Sequence, residues 1–517
     1  MARQPPDDVT APLVDVLVVG AGPVGLALAA DLARRGVSVR VVDTLDAPTT
    51  QSRAIVVHSR TLDHLQALGA LDGILARART ITGMALHTRG HDVGRIPFDA
   101  ITATHPYSVS LLQTDTEAVL AERLAALGVT VERSTTLTGA TEHEGHVVAE
   151  TARGDGTTGT VRARYVVGAD GARSAVRHVM GEHLEGSFAG DDFLIGDVDG
   201  DHGYDRSSFH TFFSPGDTTS LLFPLPGDRV RVLAQLPDGT DPDRQVTQDW
   251  LQHTLDERGV ALRIRTAHWL TRFRLKHGQV GRYRQGRFFV AGDAAHIHSP
   301  AGGLGMNTGL HDAANLGWKL ARAVQAPARD GSADALLDSY HAERHPVGAD
   351  VIAFATRLTR VGTLSNPVAQ RVRDAVVHLG LQSSTIVTRL SETVEQQRVR
   401  YRDSPVVRGE GGALRPGDFL HLPDTDVGAA LARTPGHLAV VLPDHDPGGL
   451  LGGAAAPDLP IGVAELAVSR QDAARLADAT GLRHGGVVLV RPDGYVGYLG
   501  PAADATGLAD YLRVVAT

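Results

Sequence analysis

The chain reads as an α/β protein: a βαβ body, an antiparallel sheet inserted into it, and a small α/β module at the C-terminal end. Three features predict this. Residues 14–43 run strand, glycine turn, helix, strand. Residues 183–285 alternate short strands with the turn signals SPGD at 214–217 and LPGD at 225–228. Residues 412–517 close with two strands and a helix. A length of 517 residues suits several lobes and a large buried ligand.

Each element follows from its local pattern. VDVLVVG at 14–20 is an apolar run ended by Gly20, AGPVGLALAADLARRG at 21–36 has helical spacing closed by Gly36, and VSVRVVD at 37–43 is the second strand. Helices are expected from Arg60 to Leu75 and from Thr116 to Leu127, followed by the buried strand YVVGAD at 165–170. RFFVAGD at 287–293 returns to the first lobe. A Gly-rich loop, a helix from about Thr308 to Val324 and helical patterns to about 403 complete it. The expected division is therefore 1–182 with 286–403 as the body, 183–285 as the inserted sheet and 412–517 as the C-terminal module.

Composition excludes several classes. A formal charge of −9 and the absence of a Lys/Arg block argue against a nucleic-acid surface, which needs positive charge to displace counterions. With no cysteine, disulfides, thiolate metal sites and thioether-linked cofactors are all ruled out. The N-terminal MARQPPDDVTAPL lacks an apolar core of signal-peptide length, and no stretch approaches a membrane span, so a cytoplasmic enzyme is expected.

Two motifs carry chemistry. Gly20-x-Gly22-x-x-Gly25, with Pro23 and Val24 between the last two glycines, lies between a strand and a helix, and Asp43 ends the next strand. The glycines permit a tight turn and close approach to a pyrophosphate, the helix N-terminus offers unpaired amides, and Asp43 can accept from ribose hydroxyls. This spacing alone does not separate FAD from NAD. The second motif does. Gly292-Asp293-Ala294-Ala295-His296 follows a strand, and Pro300-Ala-Gly302-Gly303-Leu304-Gly305-Met306-Asn307 runs into a helix. A carboxylate at a strand end can hold the ribityl hydroxyls of a flavin, and the helix amides can face the ring edge where negative charge develops on reduction.

With these residues in place the sequence resembles the class A flavoprotein monooxygenases, the family of para-hydroxybenzoate hydroxylase, phenol hydroxylase, pentachlorophenol monooxygenase and the aromatic polyketide hydroxylases. The resemblance rests on the N-terminal βαβ, SRAIVVHSRTLDHLQALG at 52–69, LLQTDTEAVL at 111–120, YVVGADGARSAVR at 165–177 and VAGDAAHIHSPAGGLGMNTGLHDAANLGWKLA at 290–321. It implies a Rossmann-like FAD-binding domain, a β-sheet substrate domain and a thioredoxin-like tail without CxxC, serving a structural or interface role. Gly20, Gly22, Pro23, Val24, Gly25 and Asp43 would hold the ADP half of non-covalent FAD. Arg53 and Gln113 would add polar contacts, Asp170 and Gly171 would fill the DG motif serving FAD and nicotinamide, and Asp293 would hold the ribityl chain. Pro300, Gly303, Gly305, Met306 and Asn307 would border the isoalloxazine ring. Leu304 departs from the pattern, since relatives often carry a polar residue there.

The activity so implied is hydroxylation of an electron-rich phenolic or polycyclic polyketide-like ring with NADPH or NADH and O2, through a flavin C4a-hydroperoxide. The same scaffold also suits Baeyer-Villiger or epoxidising oxygenation, or a flavin dehydrogenase or reductase. The WxWxIP segment of flavin halogenases is absent: Trp250, Trp269 and Trp318 stand apart. Nucleic-acid and membrane partners are not expected, and a homodimer stays open.

Blander roles compete for other residues. His296 and His298 are read as loop hydrogen-bonding residues, with no metal assigned. Arg272, Arg274 and Lys276 fit a solvated strand face, while Trp269 and Phe273 share a parity that suits either an aromatic pocket or core packing. Arg173 and Arg177 are placed to meet a pyrophosphate or to serve as ordinary surface arginines.

Overall fold

A computed structural model describes the chain apart from residues 1–11, 51–53, 89–90, 187–191, 215–217, 238, 275–276, 299–301, 327–332, 363–376, 422–429, 431–432, 435, 443–462, 468–469, 502–504 and 517. The first layer is an eight-stranded sheet whose centre is parallel. Leu13–Val19 lies between Val39–Val42 and Thr158–Gly168, and Phe288–Val290 pairs parallel on the far side of Thr158–Gly168. Their central residues Val16 to Val19, Val41 and Val42, Val166 and Val167, and Phe289 and Val290 are buried, as strands covered on both faces require.

Register does the positioning. Val19 pairs with Val42 and with Gly168, and Gly168 pairs with Val290. Gly20, Asp43, Ala169 to Gly171 and Ala291 to Asp293 therefore all leave the sheet at one carboxyl edge, the edge at which open α/β sheets bind ligands.

The second sheet has seven strands and is not drawn from the inserted segment alone. Ser208–Ser214 pairs parallel with Gly83–Thr88, which carries His91–Pro97 at its other edge. Nothing in the local pattern of residues 83–97 announces this partner, which lies more than a hundred residues away. Within the insert, Gln248–Glu257 is a helix, which the alternating pattern did not lead us to expect. Thr247 caps it by accepting from the Trp250 amide at 3.2 Å, and Trp250, Leu251 and Leu255 pack on the sheet face that carries Leu194, Val198, Phe212, Leu222, Val230 and Val232. The opposite face presents Phe193, Ile195, Phe209, Phe223 and Leu233 towards Ile55 and Val56 of the body, with Met84, Leu221, Trp269 and Phe273 only partly covered.

The C-terminal region forms a five-stranded sheet ordered Arg408–Gly409, Val496–Pro501, Gly486–Val490, His437–Leu442, Val463–Ala467. It is packed into the body rather than appended. Trp318, from the helix Leu304–Gln325, shares one apolar cluster with Ala439, Val487, Leu489, Tyr498 and Tyr511. Among the described residues no helix is long and apolar enough to cross a membrane.

Candidate active site

The glycine turn behaves as its spacing demands. Gly20 has φ +101°, and a Cβ there would collide with the Ala169 backbone; one on Gly25 would collide with the Gly20 carbonyl. A Cβ on Gly22 would meet nothing within 4 Å, so the space beside it is open. The helix Pro23–Arg34 begins at Gly22 with Pro at its start and no side chain capping it, leaving a positive helix end facing that space. Asp43 is half-buried. Its Oδ2 accepts from the Ala21 amide at 2.6 Å and its Oδ1 from the Leu45 amide at 2.8 Å, so it also fixes the turn it was expected to serve.

The DG turn lies beside it. Asp170 Oδ2 accepts from the amides of Ala175 and Val176 at 2.7 and 3.3 Å, while Oδ1 is buried without a hydrogen-bond partner. Burial pushes its carboxyl above the usual range. Gly171 follows at φ +74°. Arg177 is a brace: it donates to Ala294 O at 3.0 Å and to Ala172 O at 2.6 Å, joining the DG turn to the turn of Asp293. Its guanidinium is thus committed to carbonyls, whereas Arg173 is exposed on the rim.

Asp293 sits exposed in the short 3-10 turn Gly292–Ala294. Gly292 has φ +60°, and a Cβ there would press on Val24 at 2.9 Å, which seats this turn against the first helix. The turn is held from beneath by Asp312, which sequence reasoning saw only as a member of the following helix. Asp312 Oδ2 accepts from the Gly292 amide at 3.0 Å and lies 2.8 Å from His296 Nε2, and Oδ1 accepts from Arg344 Nε at 2.7 Å. Arg344 also donates to Thr308 O and to the Tyr401 hydroxyl, both at 3.0 Å. Burial alone would raise the Asp312 carboxyl, but Arg344 and His296 outweigh it and hold it below the usual range. His296 thus has the loop-bonding role expected of it. Among the described residues no group of three or more His, Cys, Asp or Glu is placed to hold a metal.

The helix Leu304–Gln325 starts at Gly303, φ +67°, again with no side-chain cap. Gly302, at φ +85°, precedes it. Asn307 is wholly buried: Oδ1 accepts from the His58 amide at 2.9 Å, and Nδ2 donates to Val56 O at 2.9 Å and Gly303 O at 2.7 Å. Its side chain locks the loop, so only its backbone is left for a ligand. Leu304 is buried against Val347, Val351, Tyr401 and Tyr495, so the departure from the family pattern is an apolar anchor. Met306 is buried beside it in sequence, and Gly305 lies against His298. Gln113 accepts from the Ala54 amide at 3.0 Å and donates to Glu117 at 2.9 Å. Arg53 and Pro300 lie outside the described residues.

On the sheet facing this loop, Trp269 and Phe273 border the aromatic cluster of Phe193, Phe209 and Phe223. Arg231 and Asp197 form a buried two-point pair at 2.6 and 2.7 Å on the same strand parity, and the guanidinium lies over Trp269. Arg272 and Arg274 are more than solvated charges, because both pair with Asp192. Lys276 lies outside the described residues.

These residues fit FAD on the structure's own terms: open space at the middle glycine, a buried unpartnered Asp170 oxygen, an exposed carboxylate on the Asp293 turn, and two uncapped helix N-termini at one sheet edge. They define a flavoprotein. The chain belongs to the family described as FAD binding domain, whose model matches residues 13–355. It is 36% identical to the 6-methylpretetramide 4-monooxygenase of Streptomyces rimosus over 97% of this chain and 93% of that one. It is 35% identical to the rifampicin monooxygenase of Streptomyces venezuelae over 75% and 80%. The anhydrotetracycline hydroxylase OxyS from Streptomyces rimosus superposes with a TM-score of 0.77 at 28% identity, covering 97% of this chain and 99% of that one. The protein is an FAD-dependent monooxygenase.

Proposed function

We propose that this monooxygenase hydroxylates an electron-rich phenolic ring of a polycyclic, polyketide-like molecule, with NAD(P)H as reductant and O2 as oxidant. The observation that carries the reading is the partly covered apolar face of Met84, Leu221, Trp269 and Phe273, which packs on a cluster that includes Val56, the residue beside Gly303 of the glycine loop. An apolar wall of that kind excludes water and stacks a fused ring. Relatives named for 6-methylpretetramide and anhydrotetracycline each match 97% of the chain.

FAD, when bound, supplies the electron transfer and the activation of oxygen. The chain orients it. When FAD is bound, the amides at Gly22, Val24 and Gly25 would meet the pyrophosphate and Asp43 the ribose. Asp170 and Gly171 would serve the cofactor from the DG turn, Asp293 would take the ribityl hydroxyls, and the backbone of residues 303–307 would border the ring. Gln113 would add a polar contact, and Arg53 and Pro300, outside the described residues, are expected to join from the sequence motifs. Among the described residues there is no second nucleotide-binding βαβ unit, so the reductant would dock transiently near residues 170–177, where Arg173 is exposed, and near residues 302–307.

A transient site of this kind calls for gating by substrate. Anaerobic reduction of the holoenzyme by NADPH is expected to be at least about tenfold faster with an accepted phenol than without it, because bound substrate would favour the arrangement of the site that admits the reductant. A stopped-flow screen of phenols and polycyclic quinones reads this directly, and rates unaffected by every compound that is itself oxygenated would reject the gating.

A further inference from the structure

Behind the glycine loop runs a buried polar chain that none of the cofactor motifs contains. Glu395 Oε2 accepts from the Ser59 amide at 2.6 Å, and Oε1 lies 2.7 Å from Ser108 Oγ. Ser108 Oγ is 2.8 Å from His58 Nδ1, and His58 Nε2 is 2.8 Å from the carbonyl oxygen of Gly302. His58, Ser108 and Glu395 are completely buried. The segment that supplies Glu395 is itself strained: Gln396 sits at φ +57°, which lets Gln396 reach Thr308 at 3.0 Å and Gln397 reach Ser59 at 2.9 Å.

The protons in this chain can be counted. Three contacts need three hydrogens. A carbonyl only accepts, so His58 Nε2 carries one of them. Ser108 supplies a second. The third sits either on Glu395, with His58 neutral, or as a second proton on His58, with Glu395 ionised. If that third proton leaves, the serine hydrogen turns to the carboxylate, and the single imidazole hydrogen serves Ser108 or Gly302 but not both. The other contact then sets two lone pairs face to face at 2.8 Å.

We propose that His58, Ser108 and Glu395 are positioning residues for the flavin loop, a relay that holds the Gly302 carbonyl, and with it the bound FAD, only while the shared proton is in place. This rests on the reading that residues 303–307, which Gly302 directly precedes, border the flavin. Glu395 is the one carboxylate touching the relay among the described residues. His311 of the helix Leu304–Gln325 interacts with His58, and around His311 stand Arg60 and His64 of the helix Ser59–Leu68 and Arg344 of the helix Asp334–Gly362. Burial and these two arginines disfavour a charge on His64 and His311. Neither of those histidines therefore stands in for the lost proton.

The test is the dissociation constant of FAD from the refolded apoprotein between about pH 6 and about pH 9, followed by flavin fluorescence for wild type, Glu395→Gln and His58→Gln. Wild-type affinity is expected to fall about tenfold or more as pH rises. Glu395→Gln supplies the third hydrogen from a carboxamide that does not titrate, whereas His58→Gln still takes that hydrogen from Glu395. Glu395→Gln is expected to match wild type at the acid end and to stay flat, and His58→Gln to keep a fall in affinity displaced from the wild-type one, because Glu395 then titrates without the imidazole. A flat wild-type profile overturns the proposal whatever the variants do, as does a Glu395→Gln profile that falls in parallel with wild type. A protein that takes up no FAD at any pH overturns the flavin-loop reading, and the relay with it.

Discussion

Arg491→Met is expected to cost roughly 3–5 kcal/mol of folding stability, the penalty for leaving a buried carboxylate short of its partner. Deletion of residues 412–517 is expected to leave no soluble protein. Glu343 is fully buried and accepts from Arg491 at 2.7 and 2.8 Å, Lys319 at 2.7 Å and Asn315 at 2.6 Å. Burial would raise its carboxyl, but Arg491 and Lys319 hold it far below the usual range; burial also pulls the Lys319 ammonium down to about 8. Truncation would strip from this network Arg491 and Asp493, which accepts from Arg491 Nε at 3.0 Å and from Asn315 Nδ2 at 3.2 Å, and would uncover Trp318 and its apolar neighbours. Against a total stability of about 5–15 kcal/mol, neither loss is minor. Urea unfolding of Arg491→Met and the soluble yield of the truncation measure both. A truncated chain that stays soluble and monomeric would show that the tail is a free module.

Asp312→Ala is expected to be comparably damaging, because Arg344 would remain buried and charged with its carboxylate gone and the Gly292 turn would lose its anchor. Asp293→Ala is expected to behave differently. Its carboxylate is exposed on the turn, so the variant should lose less stability than Asp312→Ala while its FAD dissociation constant rises roughly tenfold or more, as when a charged acceptor loses its hydroxyl donors. Thermal unfolding of the apoproteins and FAD titration separate the two. An Asp293→Ala variant with unchanged FAD affinity would remove it from the ribityl site.

The contrast between these two aspartates shows what the sequence reveals and what it hides. Gly20, Gly25, Asp43 and the Gly292-Asp293 turn are legible because parallel strands are continuous apolar runs, and the turn at their carboxyl end tolerates only certain residues. Asp312 supports the same turn, yet what makes it matter is Arg344 on another helix. Glu395 meets Ser108 across 287 positions of chain, and Arg491 meets Glu343 across 148, separations over which no local pattern carries information. The helix Gln248–Glu257 was legible: Thr247 is an N-cap, and Trp250, Leu251, Thr254 and Leu255 recur at helical spacing. The turn signals SPGD and LPGD before it mark a run of short strands, and the helix interrupts that run.

The central claim is that this chain places one atom of dioxygen on an electron-rich aromatic substrate at FAD. It is tested most directly by turnover under 18O2 with NADPH and a polycyclic phenol, followed by mass spectrometry of the product. The account predicts a product heavier by one labelled oxygen atom, formed only with FAD and NADPH present, and label located on a ring carbon as a hydroxyl. Oxidised substrate without label, or label that enters from H218O instead, would contradict it and make the protein a dehydrogenase on the same scaffold.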